Sequence, residues 1–287
     1  MRVGRAALLM LVLWGTIQAC AGGSAARPAA PVDALSVWAE FPVDRVPRPI
    51  VMLDGPPKWP GFASGDAKLA ALCGKVAGTA TNLPTDIPAE VKVTWLTGDS
   101  GLYPSLSAAS AVAALSHPAG KQNGCDSVPS LSISGAHLGA ADFPTDRGTA
   151  SVTSWLFAVP GALGDVAYPA LATSALWPGE ATVGPQARLS ADGKQVTFGF
   201  IGSAAGTGPC QAEYTAIAAE SATAVAIAPV AVETSRTGGR SGICTAVGYL
   251  RTVAVALTSP LGKRVLVDQH GVAVAACPPG WKSSSNC

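Results

Sequence analysis

Two carboxylates and a guanidinium lie close together in the stretch ADFPTDRG, where Asp142, Asp146 and Arg147 flank a Phe-Pro pair. Carboxylates beside an arginine can line a ligand-binding notch, because together they offer both hydrogen-bond acceptors and donors. A salt bridge that holds an Asx-type turn within the loop is the alternative. We take these three residues as the candidate ligand-binding group and keep the salt bridge open.

The string GDSG at 98–101 resembles the nucleophile segment of trypsin-like serine proteases. That family places its catalytic histidine and aspartate before the serine, whereas every histidine of this chain follows Ser100. A turn after the strand predicted at 91–95 explains the string without any chemistry. The sequence therefore predicts no catalytic residue here.

The three histidines have structural interpretations. His117 precedes Pro118 at a predicted helix end, where an imidazole can contact free carbonyl oxygens. His137 lies on a predicted strand, and His270 lies in a turn after Asp268. None has the spacing of a metal ligand, and the chain has no C-x-x-C pair, P-loop or G-x-G-x-x-G motif. No metal and no cofactor is predicted.

The N-terminus has the pattern of an export signal. Arg2 and Arg5 precede an apolar run at 6–13, and the string Ile-Gln-Ala-Cys ending at Cys20 resembles a bacterial lipobox. The resemblance implies a signal peptide over 1–19 and lipidation of Cys20, with palmitate among the attached acyl groups. The lipid would attach the protein to the outer face of the cell membrane. Gln18 departs from the usual small or β-branched residue. Cleavage after the A-x-A site at 19–21, which would release a secreted protein, is the alternative.

Six cysteines follow Cys20, and an even number in an exported chain predicts disulfide bonds. The number alone allows several connectivities. Pairing of neighbours in chain order keeps each bridge inside one predicted structural region. This pairing joins Cys73 to Cys125, Cys210 to Cys244, and Cys277 to Cys287.

Charge excludes some partners. The chain has 19 basic and 18 acidic residues, only 13% of residues are charged, and basic residues do not cluster beyond residue 20. Nucleic-acid binding requires a basic face, so nucleic acid is not expected as a partner. The expected partners are the membrane, through the lipid anchor, and an envelope protein or glycan.

The chain has 32 glycines and 23 prolines, which favours a turn-rich, β-rich fold. We predict an α+β fold that is predominantly β. A lipid-attachment segment and flexible tether at 20–40 precede a mixed α+β region at 41–180, with two short helices at 67–73 and 105–115. An antiparallel β-sandwich-like region follows at 181–277, and a tail occupies 278–287.

Alternation and turn signals place the strands. In the mixed region, strands are predicted at 91–95, 130–138 and 152–159, with a return strand within 166–176. Asp192-Gly193 predicts a hairpin turn before a strand at 195–201. Further strands are expected at 213–219, 224–232, 252–257 and 264–268, at a spacing typical of a sandwich.

Several strings resemble a family of exported actinobacterial proteins of unknown function. They are PRPIVML, GDAKLAAL, ISGAHLGAADFPTDRG, SWLFAVPG and LRTVAVALTSPLGKRVLVD, and they cover most of 41–275. The resemblance implies export and carries no activity or catalytic residue with it.

These patterns together predict a membrane-anchored extracytoplasmic lipoprotein. The absence of a catalytic constellation favours a non-enzymatic binding or scaffolding role in the cell envelope. An envelope hydrolase with a site assembled from distant residues is the first alternative, and a cleft lined by Asp142, Asp146, Arg147 and a histidine would favour it. A soluble secreted protein with a structural role is the second.

Overall fold

The fold is that of a computed structural model, which describes residues 31–78, 83–117, 123–178, 186–208, 210–232, 244, 246–280 and 287. Strands dominate the fold and helices are few and short, which confirms the predicted α+β class with mostly β structure. The first predicted region forms a main sheet, a two-stranded ribbon and small helices. The second forms two sheets packed face to face.

The main sheet of the first region has the order β3-β2-β6-β5, and β7 also pairs with β6. Its strands are β2 (Glu90–Trp95), β3 (Ser100–Pro104), β5 (Gly135–Thr145), β6 (Gly148–Ala158) and β7 (Val166–Pro169). Two shorter strands, β1 (Val76–Gly78) and β4 (Leu131–Ile133), pair in parallel as a separate ribbon.

Strand β6 organises this sheet. It pairs with β5 without interruption from Gly135↔Ala158 to Thr145↔Gly148. On its other side, β2 pairs with the first half of β6 and β7 with the second half. The predicted return strand is therefore confirmed but short, because β2 already occupies the rest of that edge.

Two helices pack on this region as predicted. Helix α2 (Gly65–Leu72) begins after Ser64, whose hydroxyl accepts a hydrogen bond from the Ala67 N–H at 3.1 Å. Helix α3 (Ala108–Leu115) begins three residues later than expected, because Ser107 is its cap. No helix in the described part of the chain is long and apolar enough to cross a membrane.

The second region is a sandwich. One sheet has the order β10-β11-β13 and the other the order β12-β9-β8-β14. The strands are β8 (Ala187–Leu189), β9 (Gln195–Gly202), β10 (Tyr214–Glu220), β11 (Ala224–Ala231), β12 (Tyr249–Ala256), β13 (Val265–Asp268) and β14 (Ala276–Cys277). Val196, Phe198, Ile227 and Leu266 interdigitate between the sheets as their core.

Two pairings in the sandwich are parallel, although antiparallel pairing alone was expected. They are β11 with β13 and β8 with β14. Strand β12, which lies between β11 and β13 in the chain, belongs to the opposite sheet. A chain that crosses to the other sheet and returns has reversed twice, so it arrives parallel to the strand that it left.

The segment assigned to the tether is folded from residue 31 onward. Helix α1 (Pro31–Ser36) packs on β10, β11 and β13, and Trp38 is fully buried with its Nε1 donating to the Gly271 carbonyl at 2.8 Å. Ala224 and Ala226 of β11 face this segment, since their small side chains allow close approach. Sequence reasoning missed this because 21–31 is rich in alanine and proline.

All three predicted disulfides are present, with sulfur atoms at bonding distance in the pairs Cys73–Cys125, Cys210–Cys244 and Cys277–Cys287. Cys73–Cys125 closes a loop inside the first region and Cys210–Cys244 closes one inside the second, whereas Cys277–Cys287 joins the last strand to the end of the tail, which also contacts the first region at Thr149. Three disulfides indicate an oxidising, extracytoplasmic environment.

Candidate functional site

The predicted ligand-binding group lies around the turn between β5 and β6, but its side chains do not share one notch. Asp142 is exposed on β5, and its carbonyl oxygen accepts from the Lys58 Nζ at 2.9 Å. Asp146 is buried in the turn itself, and Arg147 is half-buried. Neighbours in sequence thus have different surroundings.

Asp146 joins the two regions of the chain. Its Oδ2 lies 2.6 Å from the Arg48 Nη2, in an ion pair whose side chains are 5% and 1% exposed. Arg48 also donates through Nε to the Lys263 carbonyl at 2.8 Å, and the Asp146 carbonyl accepts from the Ala276 N–H at 3.0 Å. The salt bridge is real, but its partner is 98 residues away rather than in the same loop.

Arg147 lies over the indole of Trp95, with 3.6 Å between its Cζ and the ring centroid. One guanidinium nitrogen donates to the Tyr103 hydroxyl at 3.4 Å, and that hydroxyl donates to the Arg48 carbonyl at 3.0 Å. The guanidinium therefore packs as a cation on an aromatic face. Asp146 thus contributes to the packing between the regions, whereas Arg147 packs within the first region on Trp95 and Tyr103.

A cleft lies between the two sheets at one end of the sandwich. Side chains alternate along a strand, so residues two apart share a face. Leu266 faces the core from β13, and Asp268, two residues further on, therefore faces inward at the strand end. The same alternation turns Phe198 and Phe200 of β9 inward, together with Tyr214 of β10.

The cleft has a volume of about 390 Å³. This lies within the range of about 300–1,000 Å³ that is usual for small-molecule sites. Its lining is mostly apolar and aromatic and comprises Phe198, Phe200, Ile201, Tyr214, Pro229, Asp268, Gln269, His270, Val272 and Val274. The rings of Phe200 and Tyr214 meet edge to face, with centroids 4.9 Å apart.

The polar groups of the cleft are concentrated in the loop after β13. The Asp268 Oδ1 accepts from the backbone N–H groups of His270 and Val272 at 2.8 and 3.0 Å, which fixes the loop. The Nε2 atoms of Gln269 and His270 lie 3.0 Å apart as a hydrogen-bonded pair. Phe198 and Val274 are buried, whereas His270 is exposed, so the apolar end is deep and the polar end faces outward.

The opposite end of the sandwich carries an ion pair. Glu220, at the end of β10, accepts from the Thr258 N–H at 2.6 Å and pairs with the Arg264 Nη1 at 2.8 Å. Burial works against ionisation of Glu220, but the hydrogen bonds from Thr258 and Arg264 outweigh it and lower the pKa of this carboxyl. The cleft lies at the Tyr214 end of this pair of sheets, away from this ion pair.

The remaining residues singled out in the sequence lie outside the cleft or outside the described residues. GDSG forms the turn of the β2–β3 hairpin, with Gly98 at φ 91°, and Ser100 starts β3 exposed to solvent. The His117 Nδ1 lies 2.7 Å from the Ala113 carbonyl oxygen at the end of α3, which confirms its predicted role, and His137 is exposed on β5. Cys20 lies outside the described residues.

No group of three or more histidine, cysteine or acidic side chains among the described residues has the geometry to hold a metal ion. Sequence reasoning also gave His270 only a turn role and left out the aromatic lining. Alternation shows which residues of a strand face inward, but not which strand ends meet around a space. The sequence does hold one sign of the cleft: Tyr214 and Asp268 are residues with polar ends at strand positions that face inward.

Comparison of the chain with protein-family profiles, curated protein sequences and solved structures finds no match.

Proposed function

We propose that this protein is an extracytoplasmic binding protein that holds a small, largely apolar ligand in the cleft of its C-terminal sandwich. The observation that carries the proposal is the cleft itself, about 390 Å³ in volume, with aromatic walls and polar groups at one end. Burial of an apolar ligand against such walls supplies affinity, and a few polar groups fix its orientation.

The proposal includes attachment to the outer face of the membrane through a lipid on Cys20. Support comes from the lipobox-like string at 17–20 and from the three disulfides, which fit an exported protein. The resemblance to exported actinobacterial proteins supports the same placement. A binding protein held there meets ligands, proteins and glycans of the envelope.

An envelope hydrolase is the competing function, because a histidine does line the cleft. Acyl transfer through a covalent intermediate needs a nucleophile beside that base. The described lining residues include no serine, threonine or cysteine, and the His270 ring pairs with Gln269. Asp142, Asp146 and Arg147 also lie outside the cleft lining. Binding is the function that this lining favours.

The test is a fluorescence titration of the disulfide-bonded protein with Nile red, an uncharged dye that brightens in apolar sites. We expect saturable binding to the wild type. Val272 is a half-buried residue of the lining, so Val272→Trp places an indole in the cleft and should weaken binding by about tenfold or more.

The matched control is Leu250→Trp, because Leu250 is 72% exposed and does not line the cleft. Both variants must retain the wild-type unfolding midpoint in urea. Equal binding by the wild type and Val272→Trp, or equal loss in both variants, would exclude the cleft as the ligand site.

A further inference from the structure

The charge of the cleft lining has one sign. Asp268 is the one acidic residue among the described residues that line the cleft. The lining includes no lysine or arginine. An anionic ligand would meet the Asp268 carboxylate without a compensating cation, whereas a cationic ligand would be attracted to it.

The guanidinium of Arg251 is nearby but engaged. Its Nη1 donates to the carbonyls of Ser203 and Ala212 at 2.7 and 3.1 Å, and its Nη2 lies 3.5 Å from the Glu213 carboxylate. It packs against the Tyr214 ring at 5.3 Å from the centroid. Arg251 therefore holds the β9–β10 connection and is already compensated by Glu213.

The aromatic rings of the lining also favour a cation. Phe198, Phe200 and Tyr214 line the cleft, and the electron-rich faces of such rings attract ammonium groups, quaternary ones in particular. Tyr214 is held in place, because its hydroxyl accepts from the Ser203 N–H at 3.0 Å and its ring meets Phe200 edge to face. A fixed ring loses little freedom when a ligand binds.

The carboxylate is positioned to serve such a ligand. Its Oδ1 accepts from two backbone N–H groups of its own loop, which holds the group in place, and the described contacts leave its Oδ2 without a partner. We infer that the ligand is an amphiphilic organic cation, an amine or quaternary ammonium whose charge lies beside Asp268 and whose apolar body reaches between Phe198 and Val274. This inference rests on the proposed function.

The test compares three probes with the same ten-carbon chain and different head groups: decyltrimethylammonium, decanol and decanoate. Each is titrated calorimetrically into the disulfide-bonded protein, the two ionic probes below their micelle concentrations and decanol below its solubility limit. We expect the ammonium probe to bind about tenfold or more tightly than decanoate, with decanol between them. The preference should shrink as salt is added, because salt screens the carboxylate.

The variant Asp268→Asn isolates the charge. The asparagine keeps an oxygen for the loop N–H groups of His270 and Val272, so the loop should stay folded. We expect this variant to lose the preference for the ammonium probe and to bind decanol as the wild type does. The control Asp192→Asn changes net charge equally in the hairpin at the other end of β9, and it should keep the preference.

The outcomes separate the two proposals. Decanoate binding as tightly as the ammonium probe, or an unchanged preference in Asp268→Asn, would overturn the cationic ligand while the binding function stands. Failure of all three probes to bind the wild type would overturn both. A loss of preference in Asp192→Asn as large as in Asp268→Asn would show an effect of net charge and overturn the role of Asp268.

Discussion

The buried carboxylate of Asp146 and the guanidinium of Arg48 depend on each other, because neither has access to water. We predict that Asp146→Asn lowers the free energy of unfolding by about 3–5 kcal/mol, since it leaves a buried guanidinium without its counter-charge. Urea denaturation followed by tryptophan fluorescence measures this. The control is Asp142→Asn, which is exposed and should change stability by less than about 0.5 kcal/mol. Similar small effects of both substitutions would contradict the role of the pair.

At the residue scale, the sequence marks Asp146 as a candidate for an ion pair but does not predict which residue is its partner. Asp142, Asp146 and Arg147 attract attention because charged residues cluster in a chain that has few. Their side chains separate because a strand alternates and a turn reverses it, so each meets different neighbours. The partner of Asp146 is Arg48, in a proline-rich segment with no pattern that marks it as buried.

At the scale of elements, Glu220 fastens the end of β10 to the loop before β13. Its pKa is lower in the folded protein than in the unfolded chain, so its contribution to stability is full above the unfolded value of about 4.3 and is lost as pH falls through the folded value. We predict that Glu220→Gln lowers the free energy of unfolding by about 1 kcal/mol at neutral pH. The difference from wild type should shrink as pH falls through the folded pKa of Glu220, because the protonated carboxyl no longer carries the charge that pairs with Arg264.

Urea denaturation across this pH range measures the effect. Glu90→Gln is the matched control, because Glu90 is exposed at the start of β2 and its substitution should change the free energy of unfolding by less than about 0.5 kcal/mol. A constant difference between Glu220→Gln and wild type at every pH would show that packing, and not charge, is what Glu220 contributes.

Most elements were predictable because their signals are local. The hydroxyl cap before α2, the Asp192-Gly193 turn and the alternation of β9 act within a few residues, whereas the cap at Ser107 that sets the start of α3 was not predicted. The lengths of the edge strands were harder to predict. Strand β7 is short because β2 pairs with the rest of the same edge of β6. Parallel pairing of β11 with β13 likewise depends on a strand that crosses to the other sheet.

At the scale of the whole molecule, segments that are neighbours in sequence do not always pack in the same hydrophobic core. Trp38 precedes the first region and Phe41 begins it, but both pack in a cluster with residues of β11 and β13 of the second region, and the Cys287 carbonyl accepts from the Thr149 N–H of β6. The regions predicted at 41–180 and 181–277 are thus tied by exchanged segments as well as by the Arg48–Asp146 pair. Composition does not predict that these segments pack on the other region, because each of them resembles a linker when its sequence is read alone.

The folded body begins close to the proposed anchor. Ten residues separate Cys20 from Pro31, the first residue of α1, and a fully extended chain of that length spans at most about 35 Å. A lipid on Cys20 would therefore hold the sandwich within roughly one domain diameter of the membrane surface. An amphiphile leaving the membrane would then have a short path to the cleft.

Intact mass spectrometry of the mature protein from its native membrane tests this arrangement. We predict a diacylglyceryl adduct on Cys20 and a gain of six hydrogens on reduction, two for each of the three disulfides. Cys20→Ser should lose the adduct and leave the membrane fraction while keeping the six-hydrogen gain, since the anchor and the disulfides are independent. An unmodified wild-type chain that begins near Gly22 would contradict the anchor and favour the secreted form, and a gain of fewer than six hydrogens would contradict the three-disulfide body.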